Sequence, residues 1–150
     1  LSWKGFDLSA IFAYSIGGYI YNRDITMILH NGSLEGRDWS TEILKRWTPD
    51  NRYTDVPALS TTSNNWNSAS TRFLQNNSYM RLKNLTLSYN LPKQWISKLS
   101  LSSVQVYVQG DNLFTIHRNQ GLDPEQGITG ITYYRYPAMR TISGGINVSF

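Results

Sequence analysis

Four segments of the chain alternate between apolar and polar residues, and this alternation predicts four long β-strands. In the clearest segment, residues 140–150, Ile142, Ile146 and Val148 fall on one parity and small polar residues on the other. Because side chains of a strand alternate between the two sides of a sheet, each strand has one apolar and one polar face. The predicted strands cover about residues 5–15, 78–91, 103–114 and 140–150.

The connections between these strands differ in length. Residues 17–77 and 115–139 form two long loops, whereas residues 92–102 form a short connection. Gly17 with Gly18, and Pro92, mark strand ends, because paired glycines and proline interrupt a strand ladder. Strands joined alternately by long and short connections predict an all-β, antiparallel up-and-down meander. This alternation of connections is typical of outer-membrane barrels, whose short turns are periplasmic and long loops extracellular.

The predicted strands fit two classes of protein. A transmembrane β-strand needs about 9–11 residues with an apolar face toward lipid. Four strands do not close a barrel, for which about eight is the smallest common number, so a membrane chain would be part of a larger wall. The alternative is a soluble or surface β-sandwich module that binds carbohydrate or protein.

The first long loop carries a helical pattern. Asp38 is a candidate N-cap, and Trp39, Ile43 and Trp47 follow at a spacing of four residues. Pro49 marks the end of the pattern. The sequence therefore predicts a short amphipathic helix inside this loop.

Composition narrows the class further. Cysteine is absent, so a disulfide scaffold and a thiolate metal site are excluded. The 14 Lys and Arg residues are scattered and the net charge is +4, which disfavours nucleic-acid binding. The 10 Tyr and 5 Trp favour a surface where apolar and wet surroundings meet. The chain begins at Leu1 without a signal-peptide pattern, and we expect it to be a piece of a longer polypeptide.

Sequence blocks in a fixed order then point to a family. They are YMRLKNLTLSYNLP at residues 79–92, VYVQGDNLFT at 106–115, GLDPE at 121–125, YPAMRT at 136–141 and KGFDLS at 4–9. In these blocks the chain resembles the C-terminal end of the SusC/RagA-type TonB-linked outer-membrane transporters of Bacteroidetes. Ser88 stands where the family usually has glycine, which is a minor departure.

The resemblance implies a fold, a location and partners. The chain would be the last four strands of a barrel of roughly 22 strands in the cell outer membrane. The family imports glycans or peptides with a SusD-like surface lipoprotein seated over the extracellular loops, and transport is energised through TonB. The family's plug domain and TonB-box segment are absent from these residues.

Catalytic and metal-binding residues are not expected. The sequence has no G-x-S-x-G, H-E-x-x-H or phosphate-loop motif, which disfavours a barrel-embedded hydrolase. His30 and His117 are far apart in sequence and beside no carboxylate pair. The loop carboxylates match no EF-hand spacing and are interpreted as solvated charge; they are Asp50, Asp55, Asp123 and Glu125. We therefore expect no enzyme activity and no cofactor.

Arg81 and Lys83 conflict with the membrane interpretation. They share the parity of Leu85 and Leu87, which should face lipid. A cation at the bilayer midplane costs about 2–4 kcal/mol. Because both residues lie at the loop end of their strand, they are candidate contacts to lipopolysaccharide phosphates above the hydrocarbon. The alternative is a β-bulge that turns them to the other face.

The remaining candidate residues are aromatic. Trp66, Tyr133, Tyr134 and Tyr136 lie in the long loops and are candidate contacts to substrate or to the lipoprotein, since long loops are usually functional. The alternative is that loop aromatics pack the loops on themselves. Phe150 is the candidate barrel-assembly signal, because the insertion machinery generally reads a terminal aromatic residue in outer-membrane proteins.

Overall fold

The computed structural model describes residues 1–30, 34, 36–60, 62, 68–99, 101–119, 121, 123–125, 129–132 and 135–150. Their strands, in chain order, are β1 (Ser2–Trp3), β2 (Phe6–Ser15), β3 (Tyr19–Asn22), β4 (Leu74–Asn76), β5 (Tyr79–Asn90), β6 (Ser103–His117), β7 (Ile131–Thr132) and β8 (Thr141–Ser149). The α-helices are α1 (Arg23–Ile28) and α2 (Lys93–Ile96), and 3₁₀ turns cover Thr41–Lys45, Thr71–Phe73 and Ser97–Leu99.

These elements belong to two compact units. The sheet unit comprises Leu1–Gly17, Asn77–Arg118 and Pro137–Phe150. The loop unit comprises Gly18–Asn76 and Asn119–Tyr136, so it is built from most of both predicted long loops. The long loops are therefore folded structure with strands and helices of their own.

The sheet unit is one antiparallel sheet in the order β1-β2-β5-β6-β8. The predicted meander is confirmed, because the four long strands are neighbours in chain order and each pair is antiparallel. The predicted bounds are close, although β6 continues to His117, beyond the predicted residue 114. The sequence did not predict β1, which pairs with the start of β2 through a tight turn at Lys4 and Gly5.

A β-bulge at Lys83 interrupts the register of β5. Ile11 of β2 pairs with Asn84. The next residue of β2, Phe12, pairs with Leu82, so Lys83 is one extra residue on β5. Because side chains alternate with a period of two, one extra residue exchanges the faces of all residues beyond it.

On the other side of β5, two residues of β6 lie opposite Lys83. They are Asn112 and Leu113, and Asn112 has φ +52°, in the left-handed region that asparagine tolerates better than most residues. Two extra residues leave the later side chains of β6 on the faces they would otherwise have, whereas the single extra residue of β5 moves its later side chains to the opposite faces. Relative to its neighbours, β5 therefore changes parity at the bulge.

The loop unit has its own small sheet and its own core. Its three strands are ordered β4-β3-β7, and β3 pairs with β7 in parallel. The Asn22 side chain caps α1 by accepting a hydrogen bond from the Ile25 amide at 3.1 Å. The buried apolar residues of this unit are Ile20, Leu29, Ile43, Val56 and Phe73.

The predicted loop helix is only partly correct. A short 3₁₀ turn, Thr41–Lys45, occupies the predicted place, and its N-cap is Ser40 rather than Asp38. It ends after Lys45 because the Asn51 side-chain amide donates to the Lys45 carbonyl at 2.9 Å, so that this carbonyl has a partner outside the turn. The α-helix of the loop is α1, which the sequence analysis missed because six residues are too short to show a helical period.

Candidate functional surfaces of the sheet

The two faces of the sheet unit differ in chemistry. Cross-strand partners share a face, so the register assigns each side chain to one of them. The apolar face carries Phe6, Leu8, Ala10, Phe12, Tyr14, Met80, Leu82, Leu85, Leu87, Tyr89, Val106, Val108, Phe114, Ile116, Ile142, Ile146 and Val148. Most of these side chains are exposed, and Ile142 has 72% of its surface accessible.

The polar face is organised by hydrogen bonds between strands. Near the bulge, the Asn84 side-chain amide donates to Asp111 Oδ1 at 2.8 Å, and Gln109 Nε2 donates to Asp111 Oδ2 at 3.1 Å. The Thr86 hydroxyl donates to Asn84 Oδ1 at 2.9 Å. The Asp111 carboxylate thus accepts from amides of its own strand and of β5, which holds these polar side chains in fixed positions.

A second polar group lies closer to the short connection. Gln105 Nε2 donates to the Ser88 hydroxyl at 3.3 Å, and the Asn147 amide donates to Gln105 Oε1 at 3.3 Å. On the same face Tyr107 covers Gly145, since a Cβ at residue 145 would lie 2.7 Å from the Tyr107 hydroxyl. The alternation identified this face as polar, but only the register shows which side chains meet.

For Arg81 and Lys83 the structure has the β-bulge that the sequence analysis gave as the alternative. Arg81 lies on the polar face, is 3% exposed, and donates from Nε to the Thr115 hydroxyl at 2.9 Å. The predicted contact of Arg81 with lipid phosphate is therefore wrong, because the extra residue reverses the parity of β5. Lys83 is the bulge residue itself and is half-buried, and its contact with lipid phosphate stays a prediction.

Of the four candidate loop aromatic residues, Tyr136 lies among the described residues. Tyr136 is 97% exposed and belongs to the loop unit. Trp66, Tyr133 and Tyr134 lie outside the described residues. Phe150 follows β8 and is exposed, and its role in assembly stays a prediction.

The histidines do not meet a carboxylate cluster. His30 is fully buried in the loop unit, where its ring lies edge-on to Trp39 with centroids 5.2 Å apart. His117 is at the end of β6 in the sheet unit. Across the described ranges, no group of three potential metal-ligating side chains converges. In the same ranges no helix has both the length and the hydropathy needed to span a bilayer.

Comparisons with known proteins identify the family. No protein-family model matches the chain. The chain is 34% identical over its whole length to TonB-dependent receptor P3 of Formosa agariphila and 28% identical to TonB-dependent receptor SusC of Bacteroides thetaiotaomicron. A solved structure of the RagAB peptide transporter superposes with a TM-score of 0.86 at 35% identity over 99% of the chain. The chain belongs to the SusC/RagA-type TonB-dependent receptors.

The chain corresponds to a small part of these proteins. It spans 15% of the Formosa receptor, 14% of SusC and 16% of the matched chain in the RagAB structure. A second RagAB structure, of the peptide importer in an "open-open" state, superposes with a TM-score of 0.87. The match includes the loop unit as well as the sheet unit, because it covers nearly the whole chain. These relatives are named as receptors and transporters, not as enzymes.

Proposed function

We propose that this chain is the C-terminal wall segment of an outer-membrane transporter that imports peptides or glycans. The observation that carries the proposal is the exposed apolar face of the sheet unit, set against an ordered polar face. A transmembrane barrel needs this distribution, with apolar side chains toward lipid and polar side chains toward the interior. In this proposal the long loops are extracellular and the short connection is periplasmic, as in other outer-membrane barrels.

The dimensions of the apolar face support a membrane position. From Val104 to Ile116, β6 covers about 33 Å when the two bulge residues are left out. At a strand tilt of about 40°, this corresponds to roughly 25 Å of membrane thickness, which is the height of the apolar band of outer-membrane barrels. A soluble β-sandwich is less well supported, because the four long strands lie in one sheet whose apolar face is exposed.

Substrate and partners are proposed from the relatives. RagAB is described as a peptide transporter, and SusC is a TonB-dependent receptor. In this proposal a SusD-like lipoprotein covers the extracellular side, the substrate is a peptide or glycan, and TonB acts through parts of the protein other than this chain. The whole barrel would have about 22 strands. The protein would act as a transporter and not as an enzyme.

The loop aromatics are the proposed contacts to the lipoprotein or the substrate. Tyr136 has the required exposure, and aromatic residues are enriched at protein interfaces. Trp66, Tyr133 and Tyr134 belong to the same proposal on the basis of their positions in the loops. The buried core of the loop unit supports this role, because it gives the exposed side chains a stable base.

Expression of the full-length protein tests the proposal. The protein should fractionate with outer membranes and migrate differently on gels before and after boiling, as intact barrels do. Deletion of its gene should abolish growth on the peptide or glycan mixture that the protein imports, and complementation should restore growth. A protein that stays soluble without detergent and unfolds cooperatively would overturn the proposal.

A further inference from the structure

We propose that the short-connection end of the sheet binds an anionic phospholipid, with an acyl chain in a groove of the apolar face and the phosphate at Lys4. This inference rests on the proposed membrane position and adds a specific ligand to it. The ligand would come from the periplasmic leaflet, since short turns of outer-membrane barrels are periplasmic.

The proposed acyl-chain site is a groove on the apolar face. It is open, has a volume of about 380 Å³, and its apolar-face side chains are Phe6, Leu87, Tyr89, Val106 and Val108. Phe6 and Tyr89 form one wall, where their rings are in contact with centroids 4.5 Å apart. An apolar groove on a lipid-facing surface suits a hydrocarbon chain, which needs no hydrogen-bond partner.

The proposed phosphate site is Lys4, in the turn before the strand that carries Phe6. Trp3 pairs with Phe6 and therefore lies on the same face. The Lys4 ammonium lies 4.9 Å from the ring centroid of Trp3, the cross-strand neighbour of Phe6, which is one of the groove side chains. An exposed tryptophan beside a lysine is typical of the interface between hydrocarbon and head groups.

The backbone conformation of Lys4 also supports a function for this residue. Lys4 has φ +47° and Gly5 has φ +89°, so both central residues of the turn are in the left-handed region. Glycine or asparagine adopts this conformation more easily than lysine does. Strain of this kind is a reason to look for a function of the side chain.

The surrounding charges favour an anion. Lys93 and Lys98 lie in the short connection at this end of the sheet and are exposed. The carboxylate at this end, Asp7, accepts a hydrogen bond from the Asn90 side chain at 2.7 Å on the polar face. Among the described side chains at this end, three lysines therefore stand against one carboxylate that is already bonded on the other face.

Native mass spectrometry of the full-length receptor tests the proposal. The receptor is extracted from nanodiscs that contain equal amounts of phosphatidylglycerol and phosphatidylcholine with the same acyl chains. We expect it to retain phosphatidylglycerol preferentially. Lys4→Gly removes the charge and suits the turn, and Lys93→Gln removes a charge outside the turn. Each should lower phosphatidylglycerol retention about fivefold, the effect of one cation near an anionic surface.

Two further variants separate the groove from the charge. Val106→Phe fills the groove with an apolar side chain and should lower retention of both lipids. Lys45→Gln changes an exposed lysine of the loop unit and should have no effect. Equal retention of the two lipids, or the same result for Lys4→Gly and Lys45→Gln, would overturn the proposal. Outer-membrane insertion is measured for every variant, so failure of the membrane position is distinguished from failure of lipid selectivity.

Discussion

In the loop unit, Ile20 and Phe73 are each only 1% exposed, whereas on the sheet Ile142 and Ile146 expose 72% and 65% of their surfaces. The two units differ in where their apolar side chains lie: the loop unit has a buried apolar core, and the long strands of the sheet unit carry an exposed apolar face. The loop unit buries a core of apolar side chains within itself, as a small soluble domain does, while others such as Leu44 stay exposed. The sheet unit presents them outward, so its stability depends on what surrounds it.

In the proposed membrane position, two solvents act on one chain. In water the hydrophobic effect drives apolar side chains into a core, which the loop unit forms. A face in contact with lipid needs no such core, but its backbone must be fully paired. In the described sheet β5 and β6 have ladders on both sides, and further strands of the proposed barrel would pair the outer edge of β8. Substitutions that act differently on the two units test the comparison.

The largest expected effect is in the core of the loop unit. Phe73→Ala should destabilise this unit by about 3–5 kcal/mol, because it removes a buried aromatic ring and leaves a cavity. Phe73 also contacts the ring of Tyr21 at 6.1 Å. Hydrogen exchange of the full-length receptor should rise in the loop unit, while the amount of inserted barrel stays unchanged. Tyr53→Ala, which alters a fully exposed ring in the same unit, is the control.

A charge on the apolar face should affect the sheet instead. Ile142→Arg places a cation near the middle of this face and should cost about 2–4 kcal/mol in the membrane. The amount of heat-modifiable barrel in the outer membrane measures the effect. Ser143→Arg, one residue later on the polar face, is the matched control. If both variants insert equally, the assignment of the two faces fails.

The stability of the bulge should depend on the left-handed backbone conformation of Asn112. Asn112→Ala should destabilise the sheet by about 1–2 kcal/mol, the cost of the left-handed region for an ordinary residue. Asn112→Gly also loses the hydrogen bond from the side-chain amide to the Met139 carbonyl, at 3.2 Å, but it removes the backbone strain. The difference between these variants in thermal unfolding isolates the strain. Equal stabilities would show that the side-chain hydrogen bond, rather than φ, sets the role of Asn112.

The smallest expected effect is at the loop surface. Tyr136→Ala should weaken association with the lipoprotein by about 1 kcal/mol or less, as for most single interface residues. Co-purification of the receptor with the lipoprotein and uptake by intact cells measure the effect. Barrel insertion should remain normal, because the side chain is 97% exposed. Unchanged binding and uptake would assign Tyr136 to the solvated surface.

The alternation of residues along the chain was enough to predict the long strands and their order. The last strand alternates strongly between apolar and polar residues, and in β8 these residues lie on the apolar and the polar face. This agreement is expected because side chains of a strand alternate with a period of two. The long and short connections fixed the antiparallel meander, because neighbouring strands along the chain tend to pair. The sequence blocks also identified the family correctly. Four of the five blocks lie along β2, β5, β6 and the segment leading to β8, and the GLDPE block belongs to residues 119–136 of the loop unit.

The face on which Arg81 lies depends on the pairing between strands and could not be predicted from the alternation. Alternation places it with Leu85, and one extra residue at Lys83 reverses this assignment. A bulge depends on the register between neighbouring strands, which no single strand encodes. The loop unit was hidden for a related reason. Its parallel pair joins β3 and β7 across most of the chain, and contacts so distant in sequence leave no local period to read.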